Sequence, residues 1–141
     1  MPKITIDGQQ IEVEKGTRVI QAAEQLGIDL PRYCYHPGLS IVGQCRICLD
    51  EIGKMPKLQV ACYTQVVDGM VLHTQSEKAL AERKNVLELL LVNHPLDCPI
   101  CDQGGECELQ DVSMGFGADI SQYTEGKRVV KDSNLGPLIA T

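Results

Sequence analysis

Fourteen residues from His94 to Cys107 hold one imidazole and three thiols in the spacing H-x3-C-x2-C-x5-C. Pro95 follows the histidine, and Pro99 stands between Cys98 and Cys101. A C-x2-C turn carries two sulfurs to one point and lets the following backbone amides aim at them, while Gly104-Gly105 lets the chain curl closely past a bulky centre. His94, Cys98, Cys101 and Cys107 can therefore supply four ligands to one metal centre. His36 and His73 lack such company and read as ordinary surface or core histidines.

The remaining thiols form a second set, Cys34-x10-Cys45-x2-Cys48-x13-Cys62, in a glycine-containing stretch. Plant-type [2Fe–2S] ferredoxins combine C-x4-C-x2-C with a remote fourth cysteine, so the logic matches with a longer first gap. Zinc is the alternative for each set, because four cysteines, or three cysteines and a histidine, also make structural zinc sites. Such sites typically pair two short clips, however, and the first set has one; spacing and glycine context favour iron–sulfur for both. A Rieske centre needs two histidines on one iron, and His36 beside Cys34 has no second one near Cys45 and Cys48.

Composition narrows the partners. The formal net charge of −6 and a pI near 5.0 count against a nucleic-acid module, which needs a basic face to neutralise phosphates. Thiolate-ligated clusters would add further negative charge, leaving other proteins as the expected partners. Hydrophobic residues make up 43% of the 141-residue chain but aromatics only 4%, with no Trp, so the core must rest on Val, Ile, Leu and the inorganic mass that the cysteines hold. Seven cysteines with no visible signal peptide point to a reducing compartment. The longest apolar run, Leu89 to Val92, is too short to cross a bilayer, so membrane association is expected through partners.

Residues 3–14 predict a hairpin: Ile4/Ile6 and Ile11/Val13 alternate with polar neighbours around Asp7-Gly8-Gln9-Gln10. Thr17 is placed to cap a helix through Leu26, with Gly27 just past its end. Pro31 opens an irregular segment holding Cys34, Cys45 and Cys48. Short strands are expected at Ile47–Ile52 and Leu58–Ala61, and a second hairpin around Asp68-Gly69 between Gln65-Val66-Val67 and Met70-Val71-Leu72. This order predicts an α+β fold in which a small mixed sheet folds over one helix, as in the ferredoxin-like β-grasp.

From Ser76 the pattern becomes a long helix that stops near Asn93, before Pro95. Its face of Ala79, Leu80, Val86, Leu87, Leu90 and Leu91 is expected to pack on the first domain or on a neighbouring chain. A short helix should follow Cys107 through Met114, broken by Gly115-Phe116-Gly117, with a strand at Lys127–Val130. Gly115-Phe116-Gly117 lacks the third glycine and the preceding strand of a dinucleotide fingerprint and reads as a turn.

Pro31-Arg32-Tyr33-Cys34-Tyr35, Gly43-Gln44-Cys45-Arg46-Ile47-Cys48, and the run from Cys98 through Gly104-Gly105-Glu106-Cys107 to Gln110 closely resemble the N-terminal part of the large iron–sulfur subunits of NADH-quinone oxidoreductase, respiratory complex I. Related modules occur in NAD-reducing and iron-only hydrogenases and some formate dehydrogenases. The resemblance covers essentially the whole chain. It implies a [2Fe–2S] cluster on Cys34, Cys45, Cys48 and Cys62 and a [4Fe–4S] cluster on His94, Cys98, Cys101 and Cys107, leaving no cysteine over. The implied domains are a β-grasp [2Fe–2S] domain over 1–75, a helical [4Fe–4S] segment over 76–126, and a connector over 127–141 toward a downstream cluster domain.

The implied function is single-electron relay from a flavin-bearing, NADH-binding partner toward quinone, within a multi-subunit translocase, with no substrate-binding catalytic site on the chain. Other complex I subunits are the implied partners, and the implied place is peripheral, on the cytoplasmic side of the bacterial inner membrane. An accessory module of a hydrogenase or formate dehydrogenase is the second reading. Backbone amides around Gly43 and Gly104-Gly105 are expected to donate to cluster sulfur. Arg32 and Arg46 are placed to offset cluster charge, although solvated or partner-facing arginines fit as well.

Overall fold

The computed structural model describes residues 1–118, 121–128 and Pro137. β1 (Lys3–Ile6) and β2 (Gln9–Glu12) pair antiparallel with Ile4 opposite Ile11. The turn is tighter than the sequence indicated: Asp7 and Gly8 alone make it, with φ of 47° and 85°, the left-handed pair that matches the twist of a hairpin. The Asp7 carboxylate then accepts from the Thr74 amide and hydroxyl at 2.8 and 2.5 Å, pinning the turn to a distant part of the chain.

α1 (Val19–Gln25) begins one residue later than a Thr17 cap would place it. The Arg18 amide donates to Gln21 Oε1 at 2.9 Å, while the Val19 and Ile20 amides donate to the carbonyls of Thr64 and Ala61 at 3.0 and 3.2 Å. Thr17 instead accepts through its carbonyl from the Val66 amide at 2.9 Å. Gly27 ends the helix as expected: at φ 73° it lets the Ile28 amide reach Ala23 O and its own amide reach Glu24 O, a Schellman closure.

β3 (Leu49–Ile52), β4 (Gln59–Val60) and β5 (Val71–His73) complete a five-stranded sheet of order β2-β1-β5-β3-β4. The second hairpin is not formed. Asp68-Gly69 does turn the chain, but β5 enters the middle of the sheet, parallel to β1 (Thr5 opposite Val71) and antiparallel to β3 (Ile52 opposite Leu72). Both edges of β5 are thereby occupied, and Gln65 bridges to Arg18 instead. This mixed sheet with α1 packed on it is the β-grasp arrangement. Ile4, Ile6, Val19, Ile20, Ala23, Leu30 and Leu72 form its core, and Cys48 and Cys62 belong to the same cluster of buried side chains.

α2 (Glu77–Leu91) starts where Ser76 Oγ accepts from the Ala79 amide at 3.2 Å. Its buried stripe only partly matches the face read from the sequence: Ala79 and Leu87 are buried together with Arg83, whereas Leu80 and Leu90 keep substantial exposure. Arg83 Nη2 donates to Asp50 Oδ1 of β3 at 2.5 Å, both side chains 1% exposed. Burial pushes the Asp50 carboxyl up to about 7, with the Arg83 guanidinium pulling the other way.

The chain next makes a 3₁₀ turn at Cys98–Ile100. α3 (Glu108–Phe116) follows, running two residues past the expected Met114. Gly115 stays helical, and the stop comes at Gly117, where a Cβ would lie 2.5 Å from Ser113 O. Lys127 and Arg128 have no regular structure, and the rest of the expected terminal strand, Val129–Val130, lies outside the described residues.

Candidate metal centres

The first four thiols are neighbours beside the β-grasp core. Cys34 and Cys45 come from the irregular segment, Cys48 from the residue before β3, and Cys62 from the turn after β4. Two contacts lock that turn in place: the Ala61 amide donates to Cys48 O at 2.9 Å, and Ala61 O accepts from the start of α1. Cys48 and Cys62 are each 1% exposed, while Cys34 and Cys45 are partly exposed. The quartet thus has an inner pair embedded in the core and an outer pair toward the surface.

Burial pushes the Cys48 thiol up, with the hydrogen-bonded Cys62 beside it; burial also raises Cys62. At Cys34 burial acts in the same direction but is outweighed by the Cys45 amide, which donates to Cys34 Sγ at 3.3 Å, by the Cys45 thiol and by the Gln44 amide, so this thiol lies below its ordinary value. Amides next to Gly43 (φ 64°) therefore do reach sulfur, as the sequence predicted. Val86, Leu89 and Leu90 of α2 border a cavity with Tyr33, Cys34, Gln44, Cys45 and Arg46, so one side of α2 faces the outer thiols.

The second set is gathered around a cavity of about 250 Å³ whose lining includes His94, Cys98, Cys101, Gly104 and Cys107 together with Leu91, Leu96 and Leu109. Each ligand has its own support. The His94 amide donates to Leu91 O at 3.2 Å as α2 ends, Cys98 and Cys101 bracket the 3₁₀ turn, and Cys107 is the residue from which α3 begins. The two glycines act differently. Gly105 adopts φ 91°, while a Cβ on Gly104 would lie 2.5 Å from Cys98 O and 3.1 Å from Cys101 O. Their amides are engaged within the loop: Gly104 N donates to Cys101 O at 3.0 Å and Gly105 N to Gln110 Oε1 at 3.0 Å.

Among the described residues, no three His, Cys, Asp or Glu side chains close on one point as ligands of a single ion do. Ligands of a polynuclear centre stand farther apart, ringed around its own iron and sulfide, and the second set encloses a space of that kind. The donor types and this apolar, glycine-relieved cradle fit a cuboidal iron–sulfur group.

The other predicted residues take lesser parts. Arg32 pairs with Glu24, which already supplies its counter-charge, and Arg46 is exposed at φ 62° beside Cys45. His36 keeps its ordinary reading: its Nδ1 accepts from the Gly38 amide at 3.1 Å. Gln110, whose side chain closes the Gly105 loop, stands at the end of the cysteine motif, where spacing alone gives it no role.

A methyl group at Gly104 has only backbone to push against. Gly104→Ala is expected to cut the iron bound at the second site several-fold while leaving the first unaffected; wild-type [4Fe–4S] content in the purified variant would contradict the cradle.

Comparison with known proteins finds two family matches along the chain. Residues 2–77 match the 2Fe-2S iron-sulfur cluster binding domain family, and residues 83–122 match the NADH-ubiquinone oxidoreductase-G iron-sulfur binding region. The chain is 51% identical over 141 residues to the NADH-ubiquinone oxidoreductase 75 kDa subunit of Reclinomonas americana, covering all of this chain and 20% of that protein. It is 52% identical to the corresponding NADH-quinone oxidoreductase subunit of Rickettsia bellii, covering all of this chain and 21% of that one. Against the potato (Solanum tuberosum) NADH dehydrogenase [ubiquinone] iron-sulfur protein 1, mitochondrial, identity is 52%, covering 99% and 19%. The chain thus spans about a fifth of the length of these curated relatives. Among solved structures, an NAD+-reducing [NiFe]-hydrogenase in the H2-reduced state matches with TM-score 0.76 and 26% identity, over 89% of this chain and 55% of that one. With a [2Fe–2S] domain followed by a [4Fe–4S]-binding region, the chain belongs to the family of the large iron–sulfur subunit of NADH-quinone oxidoreductase.

Proposed function

We propose that this chain is an electron-relay segment of an NADH-quinone oxidoreductase. In this reading Cys34, Cys45, Cys48 and Cys62 hold a [2Fe–2S] cluster and His94, Cys98, Cys101 and Cys107 a [4Fe–4S] cluster. The observation that carries it is the grouping of all seven cysteines and one histidine into a half-buried thiol quartet and a four-donor ring around a single cavity. When bound, such clusters supply one-electron chemistry with little rearrangement; four protein ligands per cluster leave no open coordination position, so the chain itself makes and breaks no substrate bond.

The protein's part is to set position, dielectric and charge. The inner thiols lie in the apolar core, the outer ones face a cavity bordered by α2, and the second ring lies near exposed Leu96, Ile100 and Met114. Electrons would come from a flavin-bearing, NADH-oxidising partner and leave toward quinone. Among the described residues no helix is long and apolar enough to cross a membrane. Attachment at the cytoplasmic side of a bacterial inner membrane would then run through other subunits.

In the native assembly, NADH added anaerobically should bring up the reduced signals of both clusters within the time of one turnover. Clusters that stay oxidised while quinone is being reduced would overturn the relay. The likeness to a hydrogenase favours one second reading, an accessory module of an NAD-linked hydrogenase. Co-purification with a [NiFe] protein and H2-driven reduction of the clusters would select it.

A further inference from the structure

α2 ends without the usual devices. It has no basic residue in its last turn, and its C-terminal cap, Val92, stays right-handed, so the carbonyls at its negative end need a partner from elsewhere. One arrives from far downstream: Lys127 Nζ donates to Leu91 O at 2.7 Å and to His94 O at 2.8 Å. Neighbouring ties hold the same strap, with the Arg128 amide on Asn93 Oδ1 at 3.0 Å and the Gln122 amide on Glu88 Oε2 at 3.2 Å.

We propose that Lys127 is a positioning residue for the second cluster: its ammonium clamps the helix end and the carbonyl of His94, holding the imidazole toward the cavity and fixing a positive charge beside the centre. This rests on the reading of His94 as a ligand. Three neighbours of that ring are thiols, whose bonds to iron are anionic, whereas a neutral imidazole is held more weakly and depends more on its backbone being fixed. The charge has a second effect. Reduction adds an electron to an already negative group, so a nearby ammonium favours the reduced form, only partly screened because Lys127 is half-buried.

The test uses the full-length protein in its native assembly, with Lys127→Met and Lys127→Arg compared by potentiometric titration of the electron paramagnetic resonance signals. In Lys127→Met the [4Fe–4S] signal should develop only at lower potential and with reduced occupancy, and Lys127→Arg should restore much of both. The [2Fe–2S] signal, unchanged in each, reports that the fold is intact. A Lys127→Met protein whose [4Fe–4S] cluster titrates as in the wild type, whether at full or reduced occupancy, overturns the proposal. Absence of histidine nitrogen coupling from the wild-type [4Fe–4S] signal would instead sink the ligand reading beneath it.

Discussion

Cys107→Ser is expected to abolish the [4Fe–4S] signal and leave the [2Fe–2S] signal at full intensity. Cys107 lines the second cavity and opens α3, and no residue is shared between that ring and the quartet of Cys34, Cys45, Cys48 and Cys62. A serine hydroxyl is a far poorer ligand than a thiolate for iron in these clusters, so one substitution suffices to open the ring. Iron per chain and the reduced-state spectrum read the outcome. Loss of both signals together would mean that the two sets do not form independent sites. The reverse experiment is less clean, because Cys48 is also part of the apolar core and its replacement disturbs packing as well as ligation.

The second large effect is expected far from any thiol. Asp50→Ala should destabilise the protein by about 3–5 kcal/mol, because it leaves the Arg83 guanidinium buried with no counter-charge and unable to shed its proton. Arg83→Met should cost less: burial already raises the Asp50 carboxyl to about 7, so the orphaned acid can take up a proton. Replacing both, as Asp50→Leu with Arg83→Met, should recover much of the loss, since an apolar pair avoids desolvating two charges. Among the described residues Asp50 Oδ2 and Arg83 Nε and Nη1 have no hydrogen-bond partner, consistent with a pair whose geometry repays its burial incompletely. Urea midpoints of the three variants, all cluster-loaded, check the order. Equal stability of Asp50→Ala and the wild type would remove the argument. The pair also ties β3, two residues beyond Cys48, to the helix that ends at Leu91, three residues before His94, so it links the two cluster-bearing parts.

The metal-binding half of this architecture was legible because it is local. The second ring was read from spacing within His94–Cys107, whereas the need for glycine at 104 comes from the loop's own backbone, the carbonyls of Cys98 and Cys101. The remote Cys62 was harder, and reached its set by elimination and by likeness. What the chain's periodicity could not show was pairing at long range. Asp68-Gly69 has the composition of a hairpin turn, yet whether Met70-Val71-Leu72 folds back on Gln65-Val67 or enters between β1 and β3 depends on which strands need a central partner. The leucines of α2 misled for a related reason: the stripe that packs on β3 is set by where the helix docks, and it carries an arginine. A signal did exist there. Arg83 stands four residues from both Ala79 and Leu87, and Asp50 alternates with Cys48 and Ile52, so each charge occupies an inward position on its own element. Opposite charges at two inward positions are a reason to pair the elements that carry them. Lys127 offered no such pattern, since it acts through backbone carbonyls more than thirty residues away.

Iron and acid-labile sulfide, assayed with zinc in anaerobically purified protein, test the central claim most directly. Equal amounts of iron and sulfide, sufficient for one [2Fe–2S] and one [4Fe–4S] cluster per chain, with negligible zinc and two distinct signals on reduction, are the predicted result. Stoichiometric zinc with no sulfide would contradict it.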